Sequence, residues 1–143
     1  MEIRKIMVVG SGLMGSGIAQ VAIQAGYDVL LNDTTETLAK RGEATLSNNL
    51  DRQVKKGKMS EADKAALMSK VSLSTSLDSA AVVDFVVEAA FENFEVKRDI
   101  FQKLDKVCRP EVIFATNTSS LSITKLAAAV SRPDKFIGTL IYS

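Results

Sequence analysis

Glycines open the chemistry of this chain. In "VVGSGLMGSGIAQ", Gly10, Gly12 and Gly15 take the spacing Gly-x-Gly-x-x-Gly, with Leu13 and Met14 between the second and third, and Gly17 follows. That spacing suits a loop wrapped round a pyrophosphate. Gly10 permits a tight turn, Gly12 lets backbone approach the phosphates without a Cβ clash, and Gly15 lets a helix pack close to the preceding strand. The helix that follows offers free N–H groups and a partial positive charge. Asp33 closes the next apolar run, about 20 residues beyond the loop, where a ribose-binding carboxylate is expected. A carboxylate there accepts from a 2′-hydroxyl and repels a 2′-phosphate, so NAD is favoured over NADP. A tight turn with no ligand gives the same glycines, Asp33 is also an ordinary turn residue at a strand end, and a flavin suits the same frame.

Two further polar groups stand at strand ends. "VVEAAFENFEVKRDIFQKLD" puts Glu88 and Glu92 after an apolar run, with Lys97 in the helix beyond. "ATNTSSLSIT" puts Asn117, Thr118, Ser119 and Ser120 after another. In an open α/β sheet the ligand crevice lies at the carboxyl ends of the strands, so these groups gather where a dinucleotide would lie. Helix capping by Ser120 or Ser122 is the plainer reading of the second group, although capping needs only one such residue.

Composition removes other chemistries. The chain has no histidine and a single cysteine, Cys108, so neither a zinc centre nor a Cys/His catalytic site is expected, and no metal is. The lone cysteine and the short N-terminal apolar run, which lacks a cleavage site, suit a cytoplasmic protein. A net charge of +1 supplies no global field for nucleic acid or membrane.

The elements that must position these residues alternate. Strands are expected at Lys5–Gly10, Tyr27–Asp33, the "VSLSTS" run, Val82–Ala90, Glu111–Asn117 and the closing "FIGTLIYS". Helices are expected at Leu13–Gly26, from about Thr35 to Lys56, at Met59–Lys70 with Ser60 as N-cap, at Phe94–Cys108 and at Ser122–Val130. Several strands are apolar throughout, which implies a parallel sheet covered on both faces. The expected fold is α/β, a Rossmann-type doubly wound parallel sheet with a helical insertion between the second and third strands.

Together, "GSGLMGSGIAQ", "VVEAAFENFEVKRDIF", "ATNTSSLSIT" and "RPDKFIG" resemble the 3-hydroxyacyl-CoA dehydrogenase family, with the bacterial 3-hydroxybutyryl-CoA dehydrogenases as the nearest likeness. The resemblance implies an NAD-binding domain and reversible hydride transfer between a 3-hydroxyacyl-CoA and NAD. It implies that Asp33 holds the adenosine ribose and that Glu92 and Lys97 lie near the nicotinamide. It implies that Ser119, with Asn117 beside it, meets the substrate's 3-oxygen. The long helix then resembles the family's acyl-CoA arm, with Arg52, Lys55 and Lys56 facing CoA phosphates. A solvated helix end is the equal alternative for that basic cluster.

The resemblance also implies a departure. The family continues from "FIG" through Gly-x-His-Phe-Phe-Asn-Pro, whereas this chain reads Gly138-Thr-Leu-Ile-Tyr-Ser143, with Leu140 at the position of the family's histidine base. Leucine takes no proton, and the Tyr142 phenol, with an ordinary pKa near about 10, is a poor substitute. The expectation is therefore a cofactor domain, residues 1–143, without the family's helical C-terminal domain and without catalytic competence. The face that domain would cover is expected to drive self-association. A non-catalytic nucleotide-binding module is the competing reading, and an assembly part whose second domain is a separate chain is a third.

Overall fold

The computed structural model describes residues 2–89, 93–117 and 120–138, the side chains of 120 and 121 excepted. Six strands, β1 Lys5–Val9, β2 Asp28–Asn32, β3 Val71–Ser74, β4 Phe85–Glu88, β5 Ile113–Thr116 and β6 Phe136–Gly138, pair in the order β3-β2-β1-β4-β5-β6. Every pairing is parallel. The order reverses between β1 and β4, and that reversal opens a crevice at the carboxyl ends of the strands.

Side chains alternate across the sheet and feed two cores. Met7 and Val9 of β1 face a core with Val86, Phe114 and Phe136. Val8 faces the other, with Val29 and Leu31. Helices α1 (Leu13–Gln24), α2 (Glu36–Lys55) and α3 (Glu61–Met68) lie with the second core, and α4 (Phe94–Val107) and α5 (Ser120–Ala128) with the first. In α4, Phe101 and Leu104 are buried and Phe94, Ile100 and Val107 pack against the same core, the single face that their spacing predicts. Phe101, Phe114 and Phe136 close that layer, with ring centroids 4.7 to 6.2 Å apart.

The insertion between β2 and β3 is helical, as expected. Thr35 caps α2 by accepting from the Leu38 N–H, and Ser60 and Asp63 exchange backbone–side-chain hydrogen bonds of 3.0 Å in a capping box at α3. Gly57, at φ +74°, turns the chain between these helices.

Two boundaries move, and a third lies partly outside the described residues. The strand expected from Val82 begins at Phe85, because a 3₁₀ turn, Leu77–Val82, carries Val82 out to solvent at 64% exposure. Asp84 then aligns the strand by accepting from the Arg4 and Lys5 N–H groups, at 2.9 and 3.0 Å. Helix α5 starts at Ser120 rather than Ser122, so Ser122 lies inside its first turn. The closing strand is described only to Gly138, and Leu140 and Tyr142 lie outside the described residues.

Candidate functional site

The glycine loop fills the turn from β1 into α1. Gly10 adopts φ +103°, a left-handed conformation that a side chain would strain, and its N–H donates to the Asn32 carbonyl at 2.8 Å. A Cβ on Gly15 would stand 1.7 Å from the Gly10 carbonyl oxygen, so only glycine lets α1 seat this close to the loop. Gly12 differs. Its φ of −69° suits any residue, and an added Cβ would meet nothing within 4 Å. Among the described residues nothing requires glycine there, and what the missing side chain leaves is an open approach to the end of α1.

That helix end is bare. Among the described residues no side chain caps α1, and no acid stands in its first turn, so its leading N–H groups meet no side-chain acceptor there. Leu13 is 85% exposed beside them, and Met14 is partly exposed. The Asn117 side-chain amide, beyond the end of β5, reaches the Met14 sulfur at 2.8 Å, so the first turn of α1 meets the segment that follows β5.

Asp33 lies on the other side of the loop, after β2. Its Oδ2 accepts from the Ser11 N–H at 3.0 Å and the Ser11 hydroxyl at 2.6 Å, and its Oδ1 accepts from the Thr34 N–H at 2.7 Å. Burial works to raise the Asp33 pKa, but hydrogen bonds from the Ser11 hydroxyl, the Thr34 N–H and the Ser11 N–H outweigh it and hold the carboxyl below its ordinary value. The group is ionised at neutral pH and keeps an accessible edge. A cleft of about 270 Å³ opens beside it, lined by Val9, Gly10, Asn32, Asp33, Thr34, Thr75, Leu77 and Ile100. Its apolar walls next to a carboxylate suit a flat heterocycle carrying a hydroxylated sugar.

Across the reversal point, Glu88 ends β4 with no exposed surface. Lys97 Nζ sits 2.8 Å from its Oε1, and the Thr116 hydroxyl donates to the same oxygen at 2.6 Å. Lys97 also donates to the Asn117 carbonyl at 3.3 Å. Lys97, expected beside the cofactor, is thus 5% exposed and tied to β4 and β5.

Gly10, Gly12, Leu13, Met14, Gly15, Asp33 and Asn117 therefore gather round one crevice, while Glu92 and Ser119 lie outside the described residues. The basic cluster does not join them. Helix α2 starts beside Asp33 and runs 20 residues, about 30 Å, toward the opposite end of the sheet. Gln24, the last residue of α1, meets Gln53 there, and Arg52, Lys55 and Lys56 are exposed at that far end. Three positioning residues escape the sequence reading. Ser11 occupies the free position of the glycine motif, Gly42 lies mid-helix, and Thr116 reads as a plain strand residue. Only the contacts of the folded chain distinguish them.

Among the described residues no helix is long and apolar enough to cross a membrane, and no cluster of three or more His, Cys, Asp or Glu side chains could hold a metal.

Known proteins share this frame. The family model "3-hydroxyacyl-CoA dehydrogenase, NAD binding domain" matches residues 5–141. The 3-hydroxybutyryl-CoA dehydrogenase of Bradyrhizobium diazoefficiens is 49% identical over 136 residues, which are 95% of this chain and 46% of that protein. The rat mitochondrial hydroxyacyl-coenzyme A dehydrogenase is 47% identical, over 95% of this chain and 45% of its own length. The crystal structure of (S)-3-hydroxybutyryl-CoA dehydrogenase from Ralstonia eutropha superposes with a TM-score of 0.94 at 44% identity, over 99% of this chain and 50% of that one. The chain spans about half the length of the curated relatives it matches. With its parallel sheet, its glycine loop and Asp33 in place, the chain belongs to the 3-hydroxyacyl-CoA dehydrogenase family, in its NAD-binding domain.

Proposed function

We propose that these residues hold NAD for a dehydrogenase acting on a 3-hydroxyacyl-CoA of the 3-hydroxybutyryl class, in the cytoplasm. The observation that carries this is the bare N-terminus of α1, reached over an open Gly12, beside an ionised Asp33.

The residues fit the cofactor part by part. The leading N–H groups of α1 bind the pyrophosphate. Asp33 accepts from the adenosine ribose, and Val9, Leu77 and Ile100 face the adenine. The nicotinamide half then lies over β4 and β5, where Glu88 and Lys97 hold the Asn117 backbone. NAD, when bound, supplies the hydride acceptor, and NADH the donor.

On this reading the chain binds, orients and polarises. Ser119 is the group assigned by family pattern to the substrate's 3-oxygen. None of the 143 residues is a histidine, so the commonest general base for the proton on that oxygen is not among them. Arg52, Lys55 and Lys56 lie too far down α2 to reach the crevice, and would meet only an extended CoA.

NADH titrated into the chain should give a saturable rise in nicotinamide fluorescence, and no rise would defeat the proposal. A second reading, a nucleotide-binding module without catalysis, draws support from the missing histidine. Acetoacetyl-CoA added to the NADH complex separates the two: consumption of NADH favours an enzyme, and binding without consumption favours the module.

A further inference from the structure

Ser11 occupies the x of Gly-x-Gly, a position the motif leaves free, yet it is 5% exposed and packed on three sides. Its N–H and hydroxyl both reach Asp33 Oδ2, and the hydroxyl also lies 2.9 Å from the Leu38 carbonyl in α2. One hydroxyl hydrogen serves one of these acceptors at a time. The carboxylate is charged and nearer, so it is the stronger partner. Gly42 of α2 makes the arrangement possible, because a Cβ there would stand 2.5 Å from both Ser11 Cβ and the Ser11 carbonyl oxygen. The Ser16 hydroxyl lies 3.0 Å from the Ser11 carbonyl and 3.2 Å from that of Gly42, which ties loop and helix together.

We propose that Ser11 is a specificity-determining residue for the dinucleotide. Its hydroxyl, seated in the space left by Gly42, locks the Asp33 carboxylate in the orientation that accepts a ribose 2′-hydroxyl and rejects a 2′-phosphate. An unrestrained carboxylate can swing away from a 2′-phosphate and relieve the repulsion. One held on both oxygens, by Ser11 and by Thr34, cannot. The lock also keeps the remaining lone pairs aimed at the sugar, so losing it weakens the NAD complex and relaxes discrimination together.

This inference rests on the proposed dinucleotide site, and the test separates the two. NADH and NADPH are titrated into the wild-type chain, Ser11→Ala, Asp33→Ala and the double variant, each with a melting curve. Ser11→Ala should narrow the NADH-over-NADPH preference about tenfold, the scale of one hydrogen bond to a charged group. In the Asp33→Ala background, the same substitution should change the preference no further. Ser11→Gly removes the same hydroxyl without adding bulk, carries the same expectation, and serves if Ser11→Ala does not fold. An unchanged preference in Ser11→Ala, beside a changed one in Asp33→Ala, overturns the proposal alone. So does an equal weakening of both cofactors, which marks a merely structural role. An Asp33→Ala variant that binds both cofactors as the wild type does overturns the site reading, and this proposal with it.

Discussion

Lys97 Nζ lies 2.8 Å from Glu88 Oε1, joining the first turn of α4 to the last residue of β4 with both side chains buried. A buried pair of this kind loses much of its mutual attraction to desolvation, but breaking it strands one charge in the interior. Lys97→Met should therefore destabilise the chain by about 3–5 kcal/mol in denaturant titration. Glu88→Gln combined with Lys97→Met should cost less than the sum of the two single changes. Additive costs would mean that the pair is not coupled.

Asp33 sets a pH expectation. Hydrogen bonds hold its carboxyl below the ordinary value, so the ionised form prevails from neutral pH down to the usual carboxylate range. ADP-ribose affinity, measured by calorimetry, should stay flat from about pH 8 to pH 5 and fall only below the ordinary carboxylate pKa of about 3.9. A midpoint near neutral pH would place a different group at the ribose.

The amino end of the sheet carries its own acid sensitivity. Arg132, 5% exposed, stacks 4.5 Å from the Phe114 ring and donates to Asp105 and to the carbonyls of Asp105, Cys108, Arg109 and Val112. Burial works to raise the Asp105 pKa, but the Ser131 N–H, Arg132 and the Ser131 hydroxyl lower it overall. A folded-state pKa below the unfolded one adds stability above the unfolded value, and that stability is lost as pH falls through the folded one. Asp105→Asn should thus cost about 2 kcal/mol at pH 7 in urea, with the gap to wild type closing below about pH 4. A gap independent of pH would assign the loss to packing.

Much of this site is legible in residue order, for a physical reason. The glycine loop and Asp33 obey local constraints, a turn, a close approach and a strand end, and each constraint leaves its residue type in place. Ser11 does not announce itself, because its partners arrive from β2 and from Gly42 on α2 only after the chain has folded. The Glu88–Lys97 pair also depends on α4 turning back onto β4. Arg52, Lys55 and Lys56 suit CoA phosphates and a solvated helix end equally well by composition, and the length and direction of α2 set them at the end away from the crevice. Val82 sits in an apolar run that suits a strand, but the 3₁₀ turn takes it to the surface.

Gly12 and Gly15 provide the most direct test of the central claim, that this loop exists to hold a dinucleotide. Both are motif glycines, but only Gly15 is needed by the fold, since its Cβ would strike the Gly10 carbonyl while a Cβ on Gly12 meets nothing. NADH binding and melting temperature should be measured on Gly12→Ala and Gly15→Ala together. Gly15→Ala is expected to lose both stability and binding. Gly12→Ala should melt within about 1 kcal/mol of the wild type and still lose NADH affinity tenfold or more, about the effect of crowding one phosphate contact. A Gly12→Ala chain that binds NADH as the wild type does would contradict the account.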